Sequence, residues 1–183
     1  EAARLLTALK DAAAAVRSAR TPEEMLQSIT VSLGPATGFE KLLLLLLDPE
    51  GGTISSVHGA GLDQPVLTAA ISGPAGPALT PLFASPSDEF IEHIGSLSSA
   101  KTGPLLELLG PGAAALLPLR LRERPFGLLI AVRSGPGPIP ADVRELLMSV
   151  SALVSLALPH LMPLHPLRGD RAVLGLLMAS IAH

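Results

Sequence analysis

The chain has 183 residues, enough for one domain of ordinary size with short appended segments. Apolar residues make up 48%, but the only aromatics are four Phe, so the core is built mainly from Leu, Val, Ile and Ala, and a flat aromatic stacking site is not expected. The net charge of −3 comes without any basic block, which argues against nucleic acid as a partner, and the absence of Cys removes disulfides, thiolate catalysis, Cys-ligated metals and thioether-linked tetrapyrroles.

Leu5, Leu9, Ala12, Ala13 and Val16 recur at three- and four-residue steps, which predicts an amphipathic helix ending near Arg20. A second helix starts at once, because Thr21-Pro22-Glu23-Glu24 supplies an N-cap hydroxyl, a proline at the first helical position and a glutamate at the third. Its inward stripe is Met25, Leu26, Ile29 and Leu33, and Gly34-Pro35 is expected to end it.

Six consecutive leucines, Leu42 to Leu47, follow Phe39-Glu40-Lys41. The run is short, bracketed by turn residues and apolar at both alternating positions, so it predicts a central strand covered on each face. Asp48-Pro49-Glu50-Gly51-Gly52 turns the chain into a second strand, Thr53 to Ala60, polar enough through Ser55, Ser56 and His58 to lie nearer an edge. From Gly61 to Gly112 the pattern weakens. A short helix at Gln64 to Ile71, a Gly/Pro-rich stretch, a strand at Leu82-Phe83-Ala84 and helical fragments at Asp88 to Leu97 and Pro104 to Leu109 are expected, in a segment irregular enough for a binding loop or a lid.

Regularity returns with strands at Ala113 to Arg122 and Phe126 to Arg133, joined at Arg122-Glu123-Arg124-Pro125. Asp142 then opens a helix with the stripe Val143, Leu146, Leu147, Val150, Leu153, Val154 and Ala157, broken at Pro159. The run from Leu146 to Leu158 is too short to cross a bilayer, no secretion signal opens the chain, and neither a membrane nor an exported location is expected. Helices, strands, an irregular insert, a strand hairpin and a last helix together predict an α+β domain with helices packed on one face of an antiparallel sheet and the insert on the other.

This order resembles a GAF domain, the small-molecule and signalling module of bacterial sensors. The resemblance is carried by TPEEML at 21–26, GFEKLL at 38–43, ALLPLRLRERPFGLLIAV at 115–132 and IPADVRELL at 139–147, and covers roughly residues 3–160 of a sensory unit placed at 1–160. It implies a ligand cavity between the sheet and the insert, with Val57, Ile71, Phe83, Phe90, Ile94 and Leu97 as lining and Ser55 and His58 as polar contacts. The same apolar residues are equally suited to filling a core. The Asn-Lys-Phe-Asp-Glu motif of cyclic-nucleotide-binding members is absent, the missing Cys excludes covalent bilin, haem is disfavoured, and no cofactor is expected.

Other fragments carry no chemistry. His93 stands alone, His160 and His165 do not fall on one helix face across Pro163, Gly59-x-Gly61 and Gly135-x-Gly137 lack a phosphate-loop context, and Arg168-Gly169-Asp170 is a chance tripeptide. No nucleophile elbow or zinc-helix motif is present, and a GAF-type sulfoxide reductase would need cysteines.

Residues 161–170 form a Pro-rich linker, and Asp170 can cap a new helix over 171–183 in which Leu174, Leu177 and Ile181 make a pairing seam. His183 falls about 200° round from that seam, on the outer face, where a phosphoryl acceptor has to be. MASIAH at 178–183 is similar to the start of the H-box of sensor histidine kinases, although His183 is equally readable as an arbitrary terminus. The resemblance implies a cytoplasmic, dimerising sensory domain of a two-component histidine kinase: a homodimer through its terminal helices, a small-molecule ligand, and a response regulator reached through the parent kinase, this segment itself being non-catalytic. The alternative is a small-molecule-binding GAF module of a transcription regulator or other signalling protein.

Overall fold

The computed structural model describes residues 1–48, 53–73, 76, 77, 79, 83, 87–97 and 103–161. Eleven elements are described: α1 (Ala2–Ser18), α2 (Pro22–Thr37), β1 (Phe39–Leu47), β2 (Ile54–Ala60), α3 (Gln64–Ser72), β3 (Glu89–Ile91), a 3₁₀ turn (Ile94–Leu97), α4 (Gly103–Leu109), β4 (Ala113–Leu121), β5 (Arg124–Arg133) and α5 (Ala141–Leu161). The five strands form one antiparallel sheet in the order β2-β1-β5-β4-β3.

The leucine run explains the centre of that sheet. β1 is flanked by β2 and β5, so both of its edges are paired, and alternation sends its side chains to two separate cores. Leu42, Leu44 and Leu46 pack with the helices α1, α2 and α5, whereas Leu43, Leu45 and Leu47 pack with the insert. β2 lies at the edge of the sheet, as its polar composition predicts. Gly127 of β5 gives Leu46 and Leu119 room, since a Cβ there would stand 3.2 Å from a side-chain carbon of each.

On one face α2 lies on β1 and α5 on β4, and α1 packs across both helices as a further layer. The α2 start forms as its sequence demands: the Thr21 hydroxyl accepts from the Glu24 amide (3.1 Å), while the Glu24 carboxylate accepts from the Arg20 amide (3.2 Å). α2 runs past the expected stop at Gly34-Pro35 to Thr37 and ends at Gly38 in the left-handed region (φ +79°). Pro35 removes only one helical hydrogen bond, to the carbonyl of Val31, a residue 65% exposed. α5 likewise continues through Pro159 to Leu161, and its buried stripe includes Ser151 and Leu158 while Leu153 and Ala157 are only partly covered.

Three further expectations are corrected. Of the segment 88–97 only Ile94–Leu97 is helical, as a 3₁₀ turn: before it Phe90 pairs with Ala115 and Ile91 with Ala114, adding a fifth strand, because the open edge of β4 offers hydrogen bonds that a short helix cannot match. Phe83 has helical backbone, and residues 82 and 84 of the expected strand lie outside the described residues. The β4–β5 connection is tighter than expected, a two-residue loop of Arg122 (φ 51°) and Glu123 (φ 68°), which leaves Arg124 and Pro125 in β5. The linker at 161–170, apart from Leu161, and the helix at 171–183 lie outside the described residues.

Candidate functional site

The cavity expected between sheet and insert is, among the described residues, a packed apolar cluster. Val57 (8% exposed), Ile71 (7%), Phe83 (2%) and Ile94 (1%) meet there with Leu43, Leu45 and Leu116. The cluster is pinned at one end by Lys41, whose Nζ donates to the Leu109 carbonyl (3.2 Å) at the end of α4, and the Ile94 amide donates to Gly112 O (2.7 Å). An apolar lining of this kind supports burial and shape change, and gives no group for proton transfer.

Of the other expected pocket residues, His58, Phe90 and Ser55 do not join it, and the side chain of Leu97 lies outside the described residues. Val57 points at the insert, so its neighbour His58 points at the helices, beside Leu44. His58 Nδ1–H donates to Glu23 at the start of α2, while Nε2 is buried without a hydrogen-bond partner among the described residues. Partial burial pushes the Glu23 carboxyl up, but its own backbone amide, His58 and Thr21 outweigh this and hold it below its ordinary value. Phe90, paired with Ala115, also faces the helices and lies beneath the Arg144 guanidinium at 5.1 Å. Ser55 is exposed at a register shift, donating to Leu46 O (3.2 Å). Leu97 contributes the last residue of the 3₁₀ turn. His183, the expected phosphoacceptor, lies outside the described residues.

Two surface features lie on the helical side. A cleft of about 310 Å³ runs between the β3 edge and α5, lined by Ser87, Asp88, Phe90, Pro118, Arg120 and Met148. Burial raises the Asp88 carboxyl above its ordinary value there. A wider groove of about 540 Å³ separates the first half of α1 from the second half of α2, with Arg4, Asp11, Val31 and Pro35 among its walls. Neither was expected from sequence. The signal for Phe90 and His58 was available, however, since strand alternation fixes their side once a neighbour is known to face the insert.

Among the described residues no group of three His, Asp or Glu could hold a metal ion, and no helix is long and apolar enough to cross a membrane.

Residues 21–160 match the family profile described as GAF domain. The fold is similar to the GAF domain of an Acinetobacter phosphoenolpyruvate-protein phosphotransferase, with a TM-score of 0.64 at 13% identity over 88% of this chain and 97% of that one. It is also similar to a domain assigned to a two-component sensor histidine kinase from Sinorhizobium meliloti 1021 (TM-score 0.59, 17% identity, 82% and 99% covered). A third similar structure is the GAF domain of a sensor histidine kinase from Pseudomonas syringae pv. tomato (TM-score 0.59, 19% identity, 92% and 94% covered). Among curated proteins, none matches the sequence significantly.

Proposed function

Because the chain belongs to the GAF family, a family of regulatory and sensory domains, we propose that it is the dimerising sensory part of a cytoplasmic two-component histidine kinase, passing a signal from the insert side of the sheet to a helix that follows α5. The observation that carries this reading is the layer formed by the first and last described helices. α1 packs along α5, and α5 keeps Met148, Ala152 and Leu156 exposed at four-residue spacing, Met148 at 45% and Leu156 at 68%. Such a stripe on a helix already half buried by its own domain is suited to a second copy of the same helix.

The chemistry of transmission follows from the two-sided β1. Leu43 and Leu45 sense the packing of the insert, and Leu42, Leu44 and Leu46 sit against α2 and the helical layer. A change in the volume held by Val57, Ile71, Phe83 and Ile94 therefore shifts the strand on which the helices rest, because close-packed interiors transmit displacement. The ligand that makes such a change is a small apolar molecule, matched to the apolar lining, with a response regulator as the downstream partner of the parent kinase. His183 is the proposed phosphoacceptor.

Phosphorylation tests the kinase part. Incubating the parent kinase with radiolabelled ATP should give acid-labile, base-stable label that is lost in His183→Gln, whereas label that survives this substitution removes His183 from the reading. Native mass spectrometry of the purified chain tests the ligand part, through a co-purifying mass lost in Ile71→Trp.

A further inference from the structure

β2 ends the sheet, and its seven residues contain no Lys, Arg, Asp, Glu or Pro. Edge strands usually carry one of these to prevent pairing with another chain. Among the described residues, the side chain that hydrogen-bonds to the backbone of this edge is that of Gln64, at the start of α3. Gln64 Oε1 accepts from the Gly59 amide (3.0 Å), and Gln64 Nε2 donates to the Val57 carbonyl (2.8 Å) and to Thr68 Oγ1 (3.3 Å). A residue of a neighbouring parallel strand makes the same pair of bonds, donating to the residue before its partner and accepting from the residue after it. The Gln64 amide thus occupies the backbone positions of a sixth strand.

The sequence around Gln64 is arranged to hold it there. Gly61 adopts φ +73°, and a Cβ on it would stand 2.6 Å from Glu40 O, so only glycine takes the chain round the end of the sheet. Asp63 then caps α3 by accepting from the Val66 amide (3.0 Å), which fixes Gln64 at the first helical position against β2. Gly59 supplies the remaining space, since a Cβ there would meet Leu67 Cδ2 at 2.8 Å.

We propose that Gln64 guards the β2 edge, and that with the guard removed this edge pairs with β2 of a second copy. A second copy is the fitting partner because the strand is uncharged and an antiparallel pair about a two-fold axis is self-complementary, each copy supplying the same donors and acceptors. Such pairing needs both the Val57 carbonyl and the Gly59 amide, the two groups Gln64 occupies. It would use the end of the sheet rather than the α1 and α5 layer, and does not depend on the function proposed above.

The test compares Gln64→Leu, Gln64→Glu and the double substitution Gln64→Leu with Ser55→Lys against the unaltered chain. In dilute Gln64→Leu the Gly59 amide should exchange with solvent about tenfold faster, because it has lost its acceptor. Light scattering over a concentration series should show Gln64→Leu assembling to a mass above that of the unaltered chain. Ser55→Lys, which charges the exposed edge, should reverse that assembly. Gln64→Glu keeps an acceptor for Gly59 and adds edge charge, so it should retain the original mass. Folded Gln64→Leu with unchanged mass and unchanged Gly59 exchange overturns the proposal, as does assembly that Ser55→Lys leaves intact. Should Gln64→Leu not fold, Gln64→Asn, one methylene too short to reach both atoms, carries the same test.

Discussion

Leu44 and Leu45 are adjacent in sequence, identical in chemistry and both 0% exposed, yet they belong to different cores. Leu44 lies beside His58 and Leu129 under the helices, and Leu45 beside Val57 and Leu128 under the insert. Truncating either to Ala removes about three carbons from a buried site, roughly 2.4 kcal/mol at about 0.8 kcal/mol per buried methylene. A cavity that collapses only partly adds about 1–2 kcal/mol at roughly 24 cal/mol per Å³. Each variant should therefore lose about 3.5–4.5 kcal/mol in urea denaturation, and Tm should fall by about 7–18 °C for a domain of this size. Val66→Ala, on an exposed site outside the helical layer, should change stability by less than about 0.5 kcal/mol. Hydrogen exchange supplies the side of the sheet: Leu44→Ala should loosen α2 and α5, and Leu45→Ala should loosen α3 and the 3₁₀ turn. A loss below about 1 kcal/mol for either buried leucine, or the same exchange pattern in both variants, would refute the two-core reading of β1.

The loop at Arg122 and Glu123 holds two non-glycine residues at positive φ, so Arg122→Asn with Glu123→Gly should stabilise the hairpin by about 1–2 kcal/mol, read by thermal denaturation. Gly112→Ala should destabilise by about 3 kcal/mol or more, because the new Cβ would stand 1.8 Å from Arg133 O, and loss of β4–β5 amide protection would locate the damage. The Glu23–His58 contact should show in pH dependence. The folded Glu23 carboxyl is lowered, so the stability it contributes is present above its ordinary value of 4.5 and is lost as pH falls through the lower folded value. Glu23 is 56% exposed, which limits the effect to below about 1 kcal/mol, and Glu23→Gln should flatten that part of the profile.

Much of this fold was legible because periodicity and caps agreed with each other. The leucine run, its turn residues and the polar β2 composition identify a central strand beside an edge strand, and Thr21-Pro22-Glu23-Glu24 locates the α2 start to the residue. The helix ends at Pro35 and Pro159 were misplaced because a proline in the last turns of a helix removes only one hydrogen bond. β3 was missed because three residues carry no period, and only the open β4 edge makes them a strand. On the insert side, what was legible is apolar packing rather than a ligand site. Val57, Ile71, Phe83 and Ile94 do converge, whereas His58 and Phe90 fall on the helical face by strict alternation that the family resemblance obscured. Gln64 carried no signal in sequence, since its role depends on a turn that returns it to a strand already laid down.

In the proposed function the helical layer pairs two copies through α5 and relays packing changes across β1. Light scattering on the full chain and on Leu156→Glu, across a concentration series, tests it most directly. The account predicts twice the chain mass for the unaltered protein and a single chain mass for Leu156→Glu, with the circular dichroism of both alike. A single chain mass for the unaltered protein at high concentration, or a dimer indifferent to Leu156→Glu and Met148→Glu together, would contradict it.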